Sequence, residues 1–325
     1  MLSGTAVIGK YLLKHGFRVA VISQPDTESD KDITIFGEPR LFWGINAGCV
    51  DSLIANYTAT GKPRKMCDFT PNGINNKRPD RALIVYTGLI RRFYKNTKPI
   101  LLGGIEASLR RIAHYDFKTD KVRRSILFDS KADYIIYGMG ELPVLEFANA
   151  LKNNENVKNI KGLCYISKEL CDNTVILPHY EEVLQDKKLF HKMFKLFSDN
   201  SQAHSAKTLV QKTGDRYLIQ NPPVYYNDDI LDEISDIEFE RAVHPKIEGK
   251  VKALETIKTS VISHRGCFGG CSFCAIAVHQ GRQVISRSIS SIEKEVNSIV
   301  NMKGFNGIIS DIGGPTGNMY MMKCM

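Results

Sequence analysis

What the sequence lacks narrows it first. No apolar run approaches the roughly 18 residues that a membrane-spanning helix needs, and no charged segment leads into an apolar one as a secretory leader would. A membrane protein and a secreted one are therefore not expected, and the reading is cytoplasmic. There is no internal repeat and no low-complexity tract, which sets aside solenoids and disordered linkers. No complete G-x-G-x-x-G occurs, so the common dinucleotide fingerprint is missing too.

What is present is an ordinary globular composition, 43% hydrophobic and 24% charged over 325 residues, enough for two domains with their own cores. Eight cysteines in so long a chain, without a leader, are better read as thiols in a reducing compartment than as a disulfide framework. Cys49, Cys67, Cys164 and Cys171 are scattered and read as small buried apolar residues. The net charge of +9 permits a polyanion such as RNA. Its excess gathers at Arg91-Arg92, Arg110-Arg111 and Lys121 to Arg124, where solvated helix faces are the preferred reading.

Along the chain, residues 4–14 have helical apolar spacing, Gly16 stops them, and Phe17 to Ile22 reads as a buried strand. Strands are expected again at Arg40 to Ile45, Pro99 to Leu102 and Asp133 to Gly138, with helices after each. Strand, glycine turn and helix recurring at about 30 residues predict an α/β, doubly wound, Rossmann-like parallel sheet over residues 1–151. Ligands of such sheets lie at the strands' C-terminal ends, here Gly103-Gly104 and Gly138 to Glu141. Residues 152–255 read as a connecting region, with a hairpin expected from Leu163–Ile166 and Val175–Leu177. Residues 256–325 resume the rhythm. Ile257 to Ser263 is a strand, Ser290 and Glu293 have capping-box spacing ahead of a helix, and Gly307 to Ile312 is the next strand. Such a βαβ unit is how a TIM-like barrel begins.

Between those last strands stands Ser263-His264-Arg265-Gly266-Cys267-Phe268-Gly269-Gly270-Cys271-Ser272-Phe273-Cys274. Thiolates suit zinc and iron–sulfur clusters alike. Structural zinc sites pair two knuckles or add histidines, and ferredoxin-like sites supply four cysteines. Here the local count is three. A cubane held by Cys267, Cys271 and Cys274 keeps one iron without a protein ligand, and the interleaved glycines let the backbone wrap closely around it. The competing reading is a non-catalytic zinc or iron–sulfur module in which His264, His279 or Cys324 completes the set.

The pattern Cys267-x-x-x-Cys271-x-Phe273-Cys274 resembles the cysteine loop of the radical S-adenosylmethionine superfamily. The wider string around it, with His279-Gln280-Gly281-Arg282, Asp311 to Thr316, and Gly103 to Arg111 followed by His114-Tyr115-Asp116, is similar to the YgiQ-like branch. The resemblance implies that the three cysteines ligate a [4Fe-4S] cluster whose open iron is chelated by S-adenosylmethionine. Phe273 would lie near the adenine, and Gly313 and Gly314 would support the methionine end. It implies reductive cleavage of S-adenosylmethionine to a 5′-deoxyadenosyl radical, an electron donor such as flavodoxin or ferredoxin, and a substrate left unnamed. It also implies a sheet like the cobalamin-binding domains that precede some radical S-adenosylmethionine barrels, although a D-x-H-x-x-G motif is absent. Against the family pattern the chain is expected to be truncated at both ends, lacking a first strand and most of the barrel.

Overall fold

Ile100, Leu101 and Leu102 are all buried, the signature of a strand covered on both faces. This strand pairs in parallel with Trp43–Ile45 on one side and Tyr134–Ile136 on the other. The computed structural model describes residues 4–245, 247–315 and 317–323. Within them the sheet continues through Leu163–Ser167, Arg216–Gln220, Thr208–Thr213 and Thr174–Ile176, in that spatial order, to seven strands. The pairings of Leu163–Ser167 and of Thr208–Thr213 with Arg216–Gln220 are antiparallel, and the edge strand returns to parallel.

Three expectations are corrected here. The sheet is mixed, and it takes four strands from the stretch read as a connection, so strands on both sides of residue 151 share one sheet. The hairpin is Thr208–Thr213 with Arg216–Gln220, turning at Gly214; Leu163–Ser167 and Thr174–Ile176 lie on either side of it and are not paired with each other. Phe17 to Ile22 forms no ladder, although Phe17 and Val19 pack on the core.

Helices cover both faces. Ala82–Phe93, Gly104–Leu109, Ile126–Ser130 and Lys187–Asp199 bury Leu83, Ile90, Ala107, Leu127, Met193 and Phe197 on one. Gly4–Lys14 and Glu141–Asn153 bury Leu12, Val144 and Phe147 on the other, with the Phe147 ring between Phe42 and Tyr134 at 5.2 and 5.3 Å. Among the described residues no helix is long and apolar enough to cross a membrane.

Polar groups in this core are paired across long sequence separations. The Glu106 carboxylate accepts from Ser52 N at 2.8 Å and Leu83 N at 3.2 Å, satisfying the first turns of two helices at once. His114 donates from Nδ1 to Ile112 O at 3.1 Å, and burial, then the nearby Arg110 charge, lowers its pKa to about 4. The unfolded chain takes up that proton near 6.5. Stability is therefore complete above pH 6.5 and falls as pH drops toward 4, by at most about 1.4 kcal/mol per unit from this group. Urea unfolding at pH 7 and pH 5 is expected to show a smaller loss in His114→Asn than in the parent chain; equal losses would contradict the assignment.

The C-terminal part is a βαβ unit. Ser260–Ile262 pairs in parallel with Asp311–Gly313, and Ile289–Val300 is the helix between. The cap of that helix is Ser288, whose hydroxyl accepts from Ser291 N at 3.1 Å, two residues before the expected Ser290. Buried Arg287 ties the unit together, donating to Ile262 O at 3.0 Å and to Ser291 O at 2.8 Å and pairing with Glu295.

Candidate functional site

The cysteine loop leaves the first strand of the βαβ unit and is closed at its base by a two-residue antiparallel ladder, His264–Arg265 against Ile285–Ser286. Gly266 follows with φ +85°, and a Cβ there would stand 1.8 Å from Gln283 O, so no other residue fits this backbone path. Gly266 N donates to Gln280 Oε1 at 3.0 Å and Cys267 N to Gly281 O at 3.4 Å, folding the loop back on its own exit. Gly269 N donates to Cys267 Sγ at 3.2 Å. A Cβ on Gly269 would meet Cys267 Sγ at 3.1 Å and Cys271 Sγ at 3.7 Å, so two of the three thiols lie close to this glycine.

Cys274 N donates to Cys271 O at 3.1 Å, turning the chain into the helix Ile276–Gln280, which Gly281 ends at φ +88°. Cys267 is buried, Cys274 half-buried and Cys271 exposed. Among the described residues no three His, Cys, Asp or Glu side chains are gathered as a single metal ion needs. Phe273 is 91% exposed. Cys49, Cys67, Cys164 and Cys171 are free thiols elsewhere, with Cys49 exposed rather than buried. Burial pushes the Cys164 thiol up to about 12, which keeps it inert.

Gly313 and Gly314 stand where the partner strand ends, beside the base of the cysteine loop. Ser263 N donates to Gly313 O at 2.8 Å, and a Cβ on Gly314 would fall 2.1 Å from the His264 ring. His264 is itself buried, with Nδ1 3.0 Å from Ser263 Oγ and Nε2 without a partner. Burial lowers its pKa, so the ring is neutral. Thr316 and Cys324 lie outside the described residues.

The short helix after the cysteines packs on the C-terminal ends of the parallel strands. His279 Nδ1 lies 2.9 Å from Ser108 Oγ, and Ser108 Oγ accepts from Gly138 N at 3.1 Å. A Cβ on Gly138 would meet His279 O at 3.1 Å. Arg265 donates to Glu141 Oε1 at 2.7 Å. Of the expected turns, Gly138 to Glu141 meets the segments that flank the cysteine loop, while Ser108 was given no role by sequence reasoning. Ser108 lies inside a quoted motif, and that was the one signal available.

Two of the basic residues, Arg110 and Arg111, are not the solvated charges expected. Arg110 is buried against Asp51, with Nε and Nη2 at 2.9 and 2.6 Å from Oδ2. Arg111 is buried between the Tyr137 and Phe197 rings at 4.3 and 4.4 Å and donates to Gln220 Oε1 at 3.0 Å. Arg123 and Arg124 share Asp129, and Arg91 pairs with Asp133. Arg110 and Arg111 are internal struts with no face for RNA.

The profile of the radical SAM N-terminal family matches residues 1–260, which places the chain among radical S-adenosylmethionine proteins. It is 56% identical over 326 residues to a UPF0313 protein of Fusobacterium nucleatum, covering 99% of this chain and 57% of that one. It is 47% identical over 327 residues to a UPF0313 protein of Thermotoga petrophila, covering 99% and 58%. A UPF0313 protein of Methanocaldococcus jannaschii is 43% identical over 332 residues, at 99% and 54% coverage. With these relatives the chain belongs to the YgiQ-like family. It spans just over half the length of the curated relatives it matches. Among solved structures, the radical S-adenosylmethionine methyltransferase TsrM of Kitasatospora setae, with tryptophan substrate and a SAM analog bound, aligns with 91% of this chain and 42% of its own at TM-score 0.49 and 15% identity.

Proposed function

We propose that Cys267, Cys271 and Cys274 hold a [4Fe-4S] cluster and that the chain supplies the cluster-binding part of a radical S-adenosylmethionine enzyme. The observation that carries this is the meeting of Cys267 Sγ and Cys271 Sγ over Gly269, with an N–H···S bond from Gly269 to Cys267. Hydrogen bonds to ligand sulfur are among the means by which a protein sets a cluster's potential. Exposed Cys271 and half-buried Cys274 leave the outer side of the loop accessible to a group larger than a single ion. Zinc at about 2.3 Å from each sulfur would need all its ligands drawn close around one point. This favours the cluster over the zinc module.

Cluster and cosubstrate together would supply one-electron cleavage of the sulfonium and so radical chemistry. The chain's own residues do the rest. The three thiolates would fix the cluster, Gly313 and Gly314 would present bare backbone to the methionine end, and the exposed Phe273 ring would offer a stacking face to the adenine. Neutral His264 backs Gly314 and keeps that backbone in place. The electron donor is read as a small flavodoxin- or ferredoxin-like protein in a reducing cytoplasm, and the barrel that begins at Ser260 is read as the fold around the cosubstrate. Cobalamin lacks the support of a D-x-H-x-x-G motif. The helix Ile276–Gln280 lies against the end of one parallel strand, with His279 O beside Gly138.

Anaerobic reconstitution with iron and sulfide tests the reading. A brown chain with about four irons and four sulfides is expected. A colourless chain that instead binds zinc one to one would overturn it.

A further inference from the structure

The C-terminal end of the strand Tyr134–Ile136, where such sheets take a ligand, is met here by the flanks of the cysteine loop. Two buried polar links flank the cysteine loop. Ahead of it, Arg265 Nη1 donates to Glu141 Oε1 at 2.7 Å, and both side chains are almost fully buried. Behind it, His279 Nδ1 lies 2.9 Å from Ser108 Oγ. The Ser108 hydroxyl proton goes to Gly104 O at 3.0 Å, so the imidazole is the donor and carries its proton on Nδ1. A third link runs from Gln283 Nε2 to Tyr226 O at 3.2 Å and from Tyr226 Oη to Met139 O at 2.9 Å. All three converge on the segment after the strand Tyr134–Ile136: Glu141 directly, Gly138 N through Ser108 Oγ, and Met139 O through Tyr226.

Stability alone is a poor explanation for the first link. A buried ion pair gains little over an apolar pair of the same volume, and Glu141 Oε2 is left buried with no partner, which costs more. What the pair supplies is direction. A glycine-rich loop has few internal bonds to orient it, and fixing it on both flanks settles where its sulfurs lie relative to the sheet.

We propose that Glu141 and Ser108 are positioning residues for the cluster, seating the cysteine loop on the N-terminal sheet through Arg265 and His279. This rests on the cluster reading above. The test uses the full chain and three variants: Glu141→Gln, Ser108→Ala and, as a control on the exposed face of the same helix as Glu141, Glu146→Gln. In the metal-free chain, amide hydrogen exchange over residues 264–280 is expected to quicken about tenfold in the first two variants and not in the control. After reconstitution both are expected to take up iron as the parent does while the cluster's midpoint potential shifts, upward in Glu141→Gln because an anion is removed.

Exchange equal to the parent's in both variants, or potentials that stay unchanged while exchange quickens, would overturn the proposal. Ser108→Ala keeps it decidable if Glu141→Gln fails to fold with Arg265 unpaired. Failure of the parent chain to take up a cluster brings down the reading beneath; failure confined to the variants' readouts brings down the seat alone.

Discussion

Alanine at Cys271 is expected to leave a chain that takes up almost no iron under conditions that load the parent with about four irons per chain. The loop offers three thiols, Cys267, Cys271 and Cys274. Cys67 and Cys164 are buried in the N-terminal part, and Cys171 sits beside Tyr165 Oη at 3.6 Å. Removing Cys271 takes away one of the two sulfurs that meet over Gly269. It leaves two thiolates, one buried and one half-buried. The fold should be untouched, because Cys271 is exposed and its backbone oxygen still accepts from Cys274 N. Iron content and thermal unfolding measured together separate the outcomes. Cys171→Ala serves as the control and should load fully. Parent-like iron in Cys271→Ala would remove this residue from the site.

The second large effect concerns stability. Asp51→Ala is expected to cost about 3–5 kcal/mol, because it leaves the buried Arg110 guanidinium with Asp116 at 3.9 Å in place of a partner at 2.6 Å. Asp51 also caps the helix Ser52–Asn56, accepting from Leu53 N at 2.9 Å, and losing a cap costs about 1 kcal/mol more. Against a typical total of about 5–15 kcal/mol this is severe. Asp51→Asn keeps an acceptor for Leu53 N and should recover the cap share only. Urea unfolding of the two variants checks this, and a loss below about 1 kcal/mol in Asp51→Ala would mean that Arg110 finds another partner, Asp116 at 3.9 Å being the nearest.

The same pair shows where the sequence could and could not be read. Strands at Ile100–Leu102 and Tyr134–Ile136 were legible because their apolar runs end in glycine turns. Thr208–Thr213 and Arg216–Gln220 were not. Their inward-facing positions include Gln211, which holds Ala113 N at 2.8 Å, and Gln220, which holds Arg111, so the apolar alternation is interrupted by buried amides. Arg110 and Arg111 looked like surface charge since their partners lie 59 and 109 residues away. The cysteine spacing was local and legible. The Glu141 to Arg265 link, 124 residues apart, left no local trace.

A cluster held by Cys267, Cys271 and Cys274 would leave room for S-adenosylmethionine at its open iron. The most direct measurement is the electron paramagnetic resonance spectrum of the reconstituted, reduced chain before and after adding S-adenosylmethionine. The account predicts a cluster signal that changes shape on addition and an unchanged signal with methionine alone. A signal indifferent to S-adenosylmethionine, with no binding of the labelled compound in equilibrium dialysis, would contradict it.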